Sequence, residues 1–225
     1  MRSTSARKTH NVLLIVIDRA ARAATKITRG RRASFPAELV RLGGRWLLTD
    51  GAEPRQIAVM GDSAGGGLAL SLLLRLRDES IPLPAAAVAL SPWTDLAMTG
   101  LSLELNAEAD PLVSPQRARH FVDYYLAGTD PRSPYVSPIY GEPTGLPPTI
   151  IQVGSDEALL DDAVRMAERM HGAGCRVELE IWQRMPHVWH LFAPVMPEAR
   201  QAIERIGAFV IEAIRPQRPA ADGRL

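Results

Sequence analysis

A serine between glycines, with an apolar run before it and a helix-like run after it, is the feature of this chain best suited to chemistry. Residues 61–66 read Gly-Asp-Ser-Ala-Gly-Gly and fit the pattern G-x-S-x-G. They follow the strand-like run 57–60 and precede the helix-like run 68–74. Small residues let the chain turn sharply there, so the Ser63 hydroxyl is directed at the positive end of the next helix, which stabilises an oxyanion. The pattern therefore indicates a nucleophilic serine.

A nucleophilic serine needs a base to take its proton and an acid to orient that base. In proteins that use this serine turn, the acid and then the histidine follow later strands. The last predicted strand, 177–182, is followed by His187 and His190. His187 comes directly after a proline in a loop, which suits a fixed imidazole, whereas His190 fits a packing residue at the start of a turn. We favour His187 as the base over His190 and over the histidines at positions 10, 120 and 171.

Four acidic residues follow the predicted strand at 149–153 and are candidates to orient the histidine. Asp156 and Glu157 come first. Residue type alone does not separate these two, because two acids ahead of a helix also fit N-terminal capping. Asp161 and Asp162 lie one turn into the following helix, where we expect structural roles. The acid therefore stays open between Asp156 and Glu157 at this point.

Strand-like and helix-like segments alternate along the chain. The predicted strands are 12–17, 57–60, 85–90, 149–153 and 177–182, and the predicted long helices are 35–48, 64–77, 158–172 and 197–214. This alternation predicts an α/β fold, with a mostly parallel sheet and helices on both faces. We divide the chain into an atypical basic N-terminal segment at 1–34, one domain at 35–216 and a flexible tail at 217–225. Residues 94–147 form an insertion over the sheet, with short helices near 98–105 and 115–127.

Size, charge and composition limit the classes of function. A chain of 225 residues with net charge +1 fits one sizeable domain and does not suggest a nucleic-acid partner. No apolar run is long enough to span a membrane, and the short run at 12–17 resembles a secretory signal only weakly, so we expect a cytoplasmic protein. The single cysteine, Cys175, cannot form an internal disulfide. Histidines and acids do not cluster at ligand spacing, so we expect no metal or other cofactor. A homo-oligomer stays open.

Further motifs agree with the serine turn in their order along the chain. They are Leu-Ser-Pro-Trp-Thr-Asp-Leu at 90–96, Tyr-Val-Ser-Pro-Ile-Tyr at 135–140, Val-Gly-Ser-Asp-Glu-Ala-Leu-Leu-Asp-Asp at 153–162 and His-Val-Trp-His-Leu-Phe at 187–192. Together with the serine turn, they make the chain resemble the hormone-sensitive-lipase-like esterases (bacterial family IV), one branch of the α/β hydrolases. The resemblance extends from Phe35 to Phe209 and implies an α/β-hydrolase-type fold.

The resemblance also separates the two acids. In that family the acid begins the pattern Asp-Pro-Leu-x-Asp, and residues 157–161 match it with glutamate and alanine in the first two positions. Glu157 is therefore the expected acid, with Asp156 in reserve. Residues 110–113 read Asp-Pro-Leu-Val and look similar, but they precede the required strand, so we reject Asp110 as the acid.

The implied reaction is the hydrolysis of small, short-acyl esters. Ser63 attacks the ester carbonyl after His187 takes its proton, Glu157 orients the imidazole, and water releases the acyl group from the serine. The amide of Ala64 is expected to donate to the oxyanion. The residues expected in the substrate pocket are Asp62, Trp93 and Trp189.

One departure from the family pattern bears on activity. The family carries a His-Gly-Gly-Gly loop upstream of the serine, whose amides complete the oxyanion hole. No segment here matches that loop, since His10 precedes an asparagine and the glycine pair at 43–44 lies inside a predicted helix. Losing such a donor typically costs about 100- to 1000-fold in rate. The N-terminal cap also lacks a counterpart, so we expect a truncated or misassigned start, a partner chain that covers the gap, or a degenerate enzyme.

The sequence therefore leaves more than one function open. The first is a carboxylic-ester hydrolase that uses a Ser-His-Glu triad. The alternative is a catalytically impaired or non-catalytic protein of the same fold, which binds a small apolar ligand or a partner protein. A peptidase is the third hypothesis, because it uses the same acyl transfer with a poorer leaving group.

Overall fold

The computed structural model describes residues 13–17, 53–126 and 128–215, and the strands in these ranges form one parallel sheet. Its five strands pair in chain order, and every pairing is parallel. The strands are β1 Leu13–Ile17, β2 Ile57–Asp62, β3 Ala86–Leu90, β4 Thr149–Gly154 and β5 Val177–Trp182. The helices are α1 Ala64–Asp78, α2 Ser102–Leu105, α3 Pro115–Leu126, α4 Leu160–Gly172 and α5 Pro197–Ile214. Since all strands run the same way, the residues that follow them lie at one edge of the sheet.

Helices cover both faces of the sheet, which is why its central strands are apolar on both sides. On β3, Ala87 and Ala89 belong to a core cluster with residues of α1 and α4. The alternate residues Ala86 and Val88 pack with α5, through a cluster that includes Phe209. Side chains of a strand alternate between the two faces, so β3 contributes to both layers of the core. The α/β fold class predicted from the sequence is confirmed.

Some strands and helices begin or end at other residues than predicted, because strand pairing or a left-handed residue sets their bounds. β2 continues two residues further than predicted because its pairing with β3 extends to Asp62, opposite Leu90. The predicted helix near 98–105 is reduced to the four residues of α2. Met98 has a φ of 56°, a left-handed conformation that an α-helix cannot include. Residues 158–159 remain outside α4, since they belong to the loop that carries the predicted acid.

Several predictions fall on residues that are not described. The predicted helix at 35–48, the basic segment 1–34 apart from β1, and the tail at 217–225 lie outside the described residues. Within the described ranges, no helix has both the length and the apolar character needed to cross a membrane.

The long connection between β3 and β4 is fastened to α4 by a buried carboxylate. Asp162, in the first turn of α4, accepts hydrogen bonds from the amides of Thr94 at 2.7 Å and Asp95 at 2.8 Å. Burial raises the pKa of Asp162 to about 7, although these amides lower it. The Asp95 carboxylate in turn contacts Arg165 of α4 at 3.1 Å. These contacts fix the start of the connection beside the edge at which β2, β3 and β4 end.

Candidate active site

Ser63 lies at the turn between β2 and α1 in an uncommon backbone conformation. Its φ is 53° and its ψ is −122°. A left-handed φ is rare for a residue with a Cβ, and such residues cluster at functional sites. Backbone hydrogen bonds connect the turn to the neighbouring strand end: the Ser63 amide donates to the Leu90 carbonyl at 2.8 Å, and the Trp93 amide donates to the Ser63 carbonyl at 2.9 Å. The Ser63 side chain does not cap α1, so its hydroxyl is directed elsewhere.

Gly61 is the position in this turn where the backbone leaves no room for a side chain. A Cβ there would lie 2.1 Å from the carbonyl oxygen of Gly65, which belongs to the first turn of α1. We expect Gly61→Ala to lower the free energy of unfolding by about 3 kcal/mol or more, measured by urea denaturation. Gly207→Ala in α5 is the matched control, because a Cβ there meets nothing within 4 Å outside its own helix. That control should gain about 0.5–1 kcal/mol, and equal stability of Gly61→Ala and wild type would refute the close approach.

Ser63, His187 and Glu157 form one chain of hydrogen bonds. His187 Nε2 lies 2.9 Å from Ser63 Oγ, and His187 Nδ1 lies 2.9 Å from Glu157 Oε2. A carboxylate only accepts, so the Nδ1 hydrogen of the neutral ring donates to Glu157 and Nε2 is left to accept from the serine hydroxyl. This is the arrangement that can remove a proton from a serine as it attacks a carbonyl.

Each of these three hydrogen-bonded residues lies in the segment that follows a strand. Ser63 follows β2, and Glu157 lies three residues beyond the end of β4. His187 lies in the loop after β5, where the following residue, Val188, has a φ of 51°. The loops of Glu157 and His187 are in close contact, since a Cβ on Gly154 would lie 1.9 Å from the Met185 carbonyl oxygen. Parallel strands thus bring together side chains that are far apart in the sequence.

The Glu157 carboxylate is buried and surrounded by hydrogen-bond donors. Its side chain is fully buried, and burial raises its pKa above the ordinary value of a glutamate. Hydrogen bonds from His187, Gly154 and Ser91 oppose this effect and favour the ionised form. The Gly154 amide donates to Oε1 at 2.7 Å, and the Ser91 hydroxyl donates to the same oxygen at 2.8 Å. Oε2 therefore remains for His187.

The neighbouring candidates from the sequence make different contacts. His190 is buried, and its Nε2 lies 2.8 Å from Gln152 Oε1. Burial lowers the pKa of His190 to about 4, so its ring is neutral at physiological pH and donates to the glutamine. Asp156 accepts a hydrogen bond from the Ser155 hydroxyl at 2.8 Å. The structure thus places Glu157, rather than Asp156, against the ring of His187.

Ala64 and Asp62 flank the serine. Ala64 is the first residue of α1, and the first amides of a helix have no acceptor within it. Its amide therefore lies at the positive end of the α1 dipole, where a developing oxyanion is stabilised. Asp62 is the last residue of β2 and is half-buried.

The two tryptophans expected at the pocket differ in their surroundings. Trp93 is half-buried, packs against residues of the β3–β4 connection, and donates from its indole nitrogen to the Asp95 carbonyl at 3.2 Å. Trp189 is fully buried and packs against Ala199 and Ala202 of α5. With no exposed surface, Trp189 is a core residue, which corrects its assignment to the substrate pocket.

Asn106 and Asp110 hold the loop that carries Glu157, a role that the sequence analysis does not predict. The Asn106 side-chain amide donates to the carbonyls of Ser155 at 3.1 Å and Glu157 at 2.9 Å. Asp110, rejected above as the acid, accepts from the Ala158 amide at 2.9 Å. Both residues lie between the two predicted short helices of the β3–β4 connection. In the sequence, Asp110 is marked only by its Asp-Pro-Leu-Val match, and Asn106 shows no signal beyond its polar side chain.

No group of histidines, cysteines or acids that could hold a metal ion occurs among the described residues. The arrangement can perform proton transfer and nucleophilic attack with its own side chains. A hydroxyl, an imidazole and a carboxylate in this order are the groups that nucleophilic acyl transfer uses.

Comparison with known proteins agrees with this geometry. The family described as alpha/beta hydrolase fold matches residues 17–191. An acetyl-hydrolase of Streptomyces hygroscopicus is 49% identical over 166 residues, which cover 74% of this chain and 56% of that protein. An esterase of Acinetobacter venetianus is 38% identical over 164 residues, which cover 72% of this chain and 54% of that protein.

Solved structures give the same result. An esterase from the bacterial hormone-sensitive lipase family superposes with a TM-score of 0.78 at 48% identity, covering 80% of this chain and 60% of that one. The esterase EstE5, in a crystal soaked with p-nitrophenyl butyrate, gives a TM-score of 0.80 at 41% identity, covering 84% of this chain and 63% of that one. The chain thus spans little more than half the length of the curated relatives it matches. It belongs to the α/β hydrolase fold family, on the hormone-sensitive-lipase-like branch.

Proposed function

We propose that this chain is a carboxylic-ester hydrolase that acts on small, short-acyl esters through Ser63, His187 and Glu157. The observation that carries the proposal is the continuous chain of hydrogen bonds from the serine hydroxyl through the imidazole to the buried carboxylate. In this series of hydrogen bonds, His187 can accept the proton of the Ser63 hydroxyl, and Glu157 fixes the tautomer of the His187 ring.

In the acylation half of the reaction, Ser63 Oγ forms a bond to the carbonyl carbon of the ester. Nε2 of His187 takes the hydroxyl proton, and the Glu157 carboxylate stabilises the resulting imidazolium. The Ala64 amide donates to the oxyanion of the tetrahedral intermediate. When the intermediate collapses, His187 returns the proton to the alcohol oxygen as the carbon–oxygen bond breaks. The products of this half are a free alcohol and an acyl-serine.

In the deacylation half, water replaces the alcohol. His187 takes a proton from the water as it attacks the acyl-serine carbonyl, then returns that proton to Ser63 Oγ when the serine leaves. The carboxylic acid is released and the starting state is restored. Proton transfer and acyl transfer need no electron carrier, so we propose that the reaction proceeds without a cofactor.

The relatives support the choice of a short-acyl ester. The Streptomyces hygroscopicus relative is described as an acetyl-hydrolase, and the EstE5 crystal was soaked with the ester of a four-carbon acid. We therefore propose that this chain, like those proteins, acts on esters of short carboxylic acids. The alternative of a non-catalytic binding protein has no such support from the relatives.

The test uses the full chain, p-nitrophenyl esters of two, four and eight acyl carbons, and a fluorophosphonate that reacts with activated serines. We expect hydrolysis of the two shorter esters and covalent labelling of Ser63, located by peptide mass spectrometry. Labelling should disappear when the protein is unfolded in urea, because the hydroxyl is activated only next to His187. A protein that unfolds cooperatively but shows neither labelling nor hydrolysis would favour the non-catalytic alternative.

A further inference from the structure

A second serine connects the loop of the acid to the loop of the base. Ser91 directly follows β3 and is fully buried. Its hydroxyl donates to Glu157 Oε1 at 2.8 Å and accepts from the Val188 amide at 3.1 Å. Its own amide donates to the Gln152 carbonyl of β4 at 2.7 Å. A single oxygen atom therefore contacts the carboxylate and the residue next to His187.

The backbone of Ser91 is held in an unfavourable conformation. Its φ is 45°, in the left-handed region that residues with a Cβ rarely adopt. Glycine would occupy this region without strain, yet the chain carries a serine. A strained, fully buried polar residue at the edge where the functional loops meet is the kind of position that serves a site.

A glutamate at position 157 needs more hydrogen bonds to hold its carboxylate in one orientation than an aspartate would. A glutamate has one more rotatable side-chain bond than an aspartate, so more conformations compete with the one that contacts His187. Ser91 and the Gly154 amide both hold Oε1, which fixes the plane of the carboxylate and directs Oε2 at the ring. Burial also makes the ionised carboxylate costly, and a hydrogen bond from a hydroxyl offsets part of that cost.

We propose that Ser91 is a positioning residue for the reaction. Its hydroxyl fixes the Glu157 carboxylate and the His187 loop relative to each other, without touching the reacting atoms. The role rests on the proposed function, because it concerns the geometry of the same base and acid. It also predicts that loss of the hydroxyl changes how the site works rather than whether the protein folds.

The test compares Ser91→Gly with Ser71→Ala in the full chain. Glycine removes the hydroxyl and suits the positive φ, so the variant is expected to unfold cooperatively like wild type. Ser71 is the matched control, since it is a buried serine of α1 whose hydroxyl has no hydrogen-bond partner among the described residues. Ser91→Cys retains a weaker donor and serves as the conservative variant.

For Ser91→Gly we expect kcat on p-nitrophenyl acetate to fall about 10- to 100-fold, while KM changes by less than about twofold. The acidic limb of the pH–rate profile should move to higher pH, because Glu157 loses a donor that favours its ionised form and only the ionised form orients His187. Ser91→Cys should lie between Ser91→Gly and wild type, and Ser71→Ala should match wild type. A Ser91→Gly protein with the kcat and pH profile of wild type would overturn the proposal. If that variant does not fold, a Ser91→Cys protein with unchanged kcat and pH profile would overturn it.

A second measurement separates this proposal from the proposed function. In protein labelled with ¹⁵N-histidine, the Nδ1 proton of His187 reports its hydrogen bond to Glu157 and needs no turnover. We expect this resonance to move upfield in Ser91→Gly and to stay in place in Ser71→Ala. If wild type hydrolyses no ester, the proposed function fails, and an unmoved resonance in Ser91→Gly is then what would refute the positioning role.

Discussion

Replacing Ser63 with alanine is expected to eliminate ester hydrolysis and fluorophosphonate labelling together. The change removes only the oxygen atom that lies 2.9 Å from His187 Nε2. Among the described residues, Ser63 is the hydroxyl-bearing residue hydrogen-bonded to that ring, so no other hydroxyl in this part of the chain is placed to replace it. We expect kcat/KM on p-nitrophenyl acetate to fall by about 10³- to 10⁶-fold, which is typical when a nucleophilic serine is removed.

The fold should survive this change. Ser63 does not cap α1, and alanine differs from serine only in the lost oxygen. Urea unfolding should therefore give a midpoint close to that of wild type. Ser71→Ala in α1 is the control for the loss of a buried hydroxyl, and it should retain full activity. Hydrolysis by folded Ser63→Ala at more than a tenth of the wild-type rate would mean that another residue is the nucleophile.

Replacing Glu157 with glutamine is expected to lower kcat by about 10⁴-fold with little change in KM. The two side chains have the same shape, and the glutamine oxygen can still accept from the Gly154 amide and from Ser91. Its NH₂ group then points at His187 Nδ1, which must accept rather than donate. The ring proton moves to Nε2, where it opposes removal of the proton from Ser63.

Asp156→Asn is the matched control for this change. It removes a negative charge from the adjacent residue, whose carboxylate accepts from the Ser155 hydroxyl instead of from the ring. We expect its kcat to stay within about twofold of wild type. If Asp156→Asn lost activity and Glu157→Gln kept it, the acid would be Asp156. Both variants are assayed on p-nitrophenyl acetate across the pH range, beside their urea-unfolding curves.

Much of this architecture is predictable because its signals are local. The turn at Ser63 combines a short apolar strand, closely spaced glycines and a helix, all within about twenty residues. β5 and α5 have the predicted bounds, since each is a single run with a clear periodicity or a proline at its start. His187 follows from its position after the last strand and after a proline.

Other parts depend on contacts between distant segments, which no local pattern encodes. Residue type does not separate the adjacent acids Asp156 and Glu157. The family resemblance favours Glu157, and the direction of the loop after β4 places its carboxylate against the ring. Trp189 lies in a turn of 3-10 helix that is four residues long, too short for periodicity to separate core from pocket. Ser91 is placed by the sequence at the edge where strands end. That its oxygen reaches Glu157, 66 positions away, is visible only in three dimensions.

The hydrogen bond between Ser63 and His187 joins positions 124 residues apart, and this separation has a consequence for how the chain becomes competent. Contacts between remote segments form late in folding, because the entropy of closing a long loop must first be overcome. The pair can meet only after the strands that carry its loops have docked side by side. On the proposed function, the site can therefore assemble only once the chain has been synthesised beyond His187, and recovery of ester hydrolysis after dilution from denaturant should report the docking of the strands that carry Ser63 and His187.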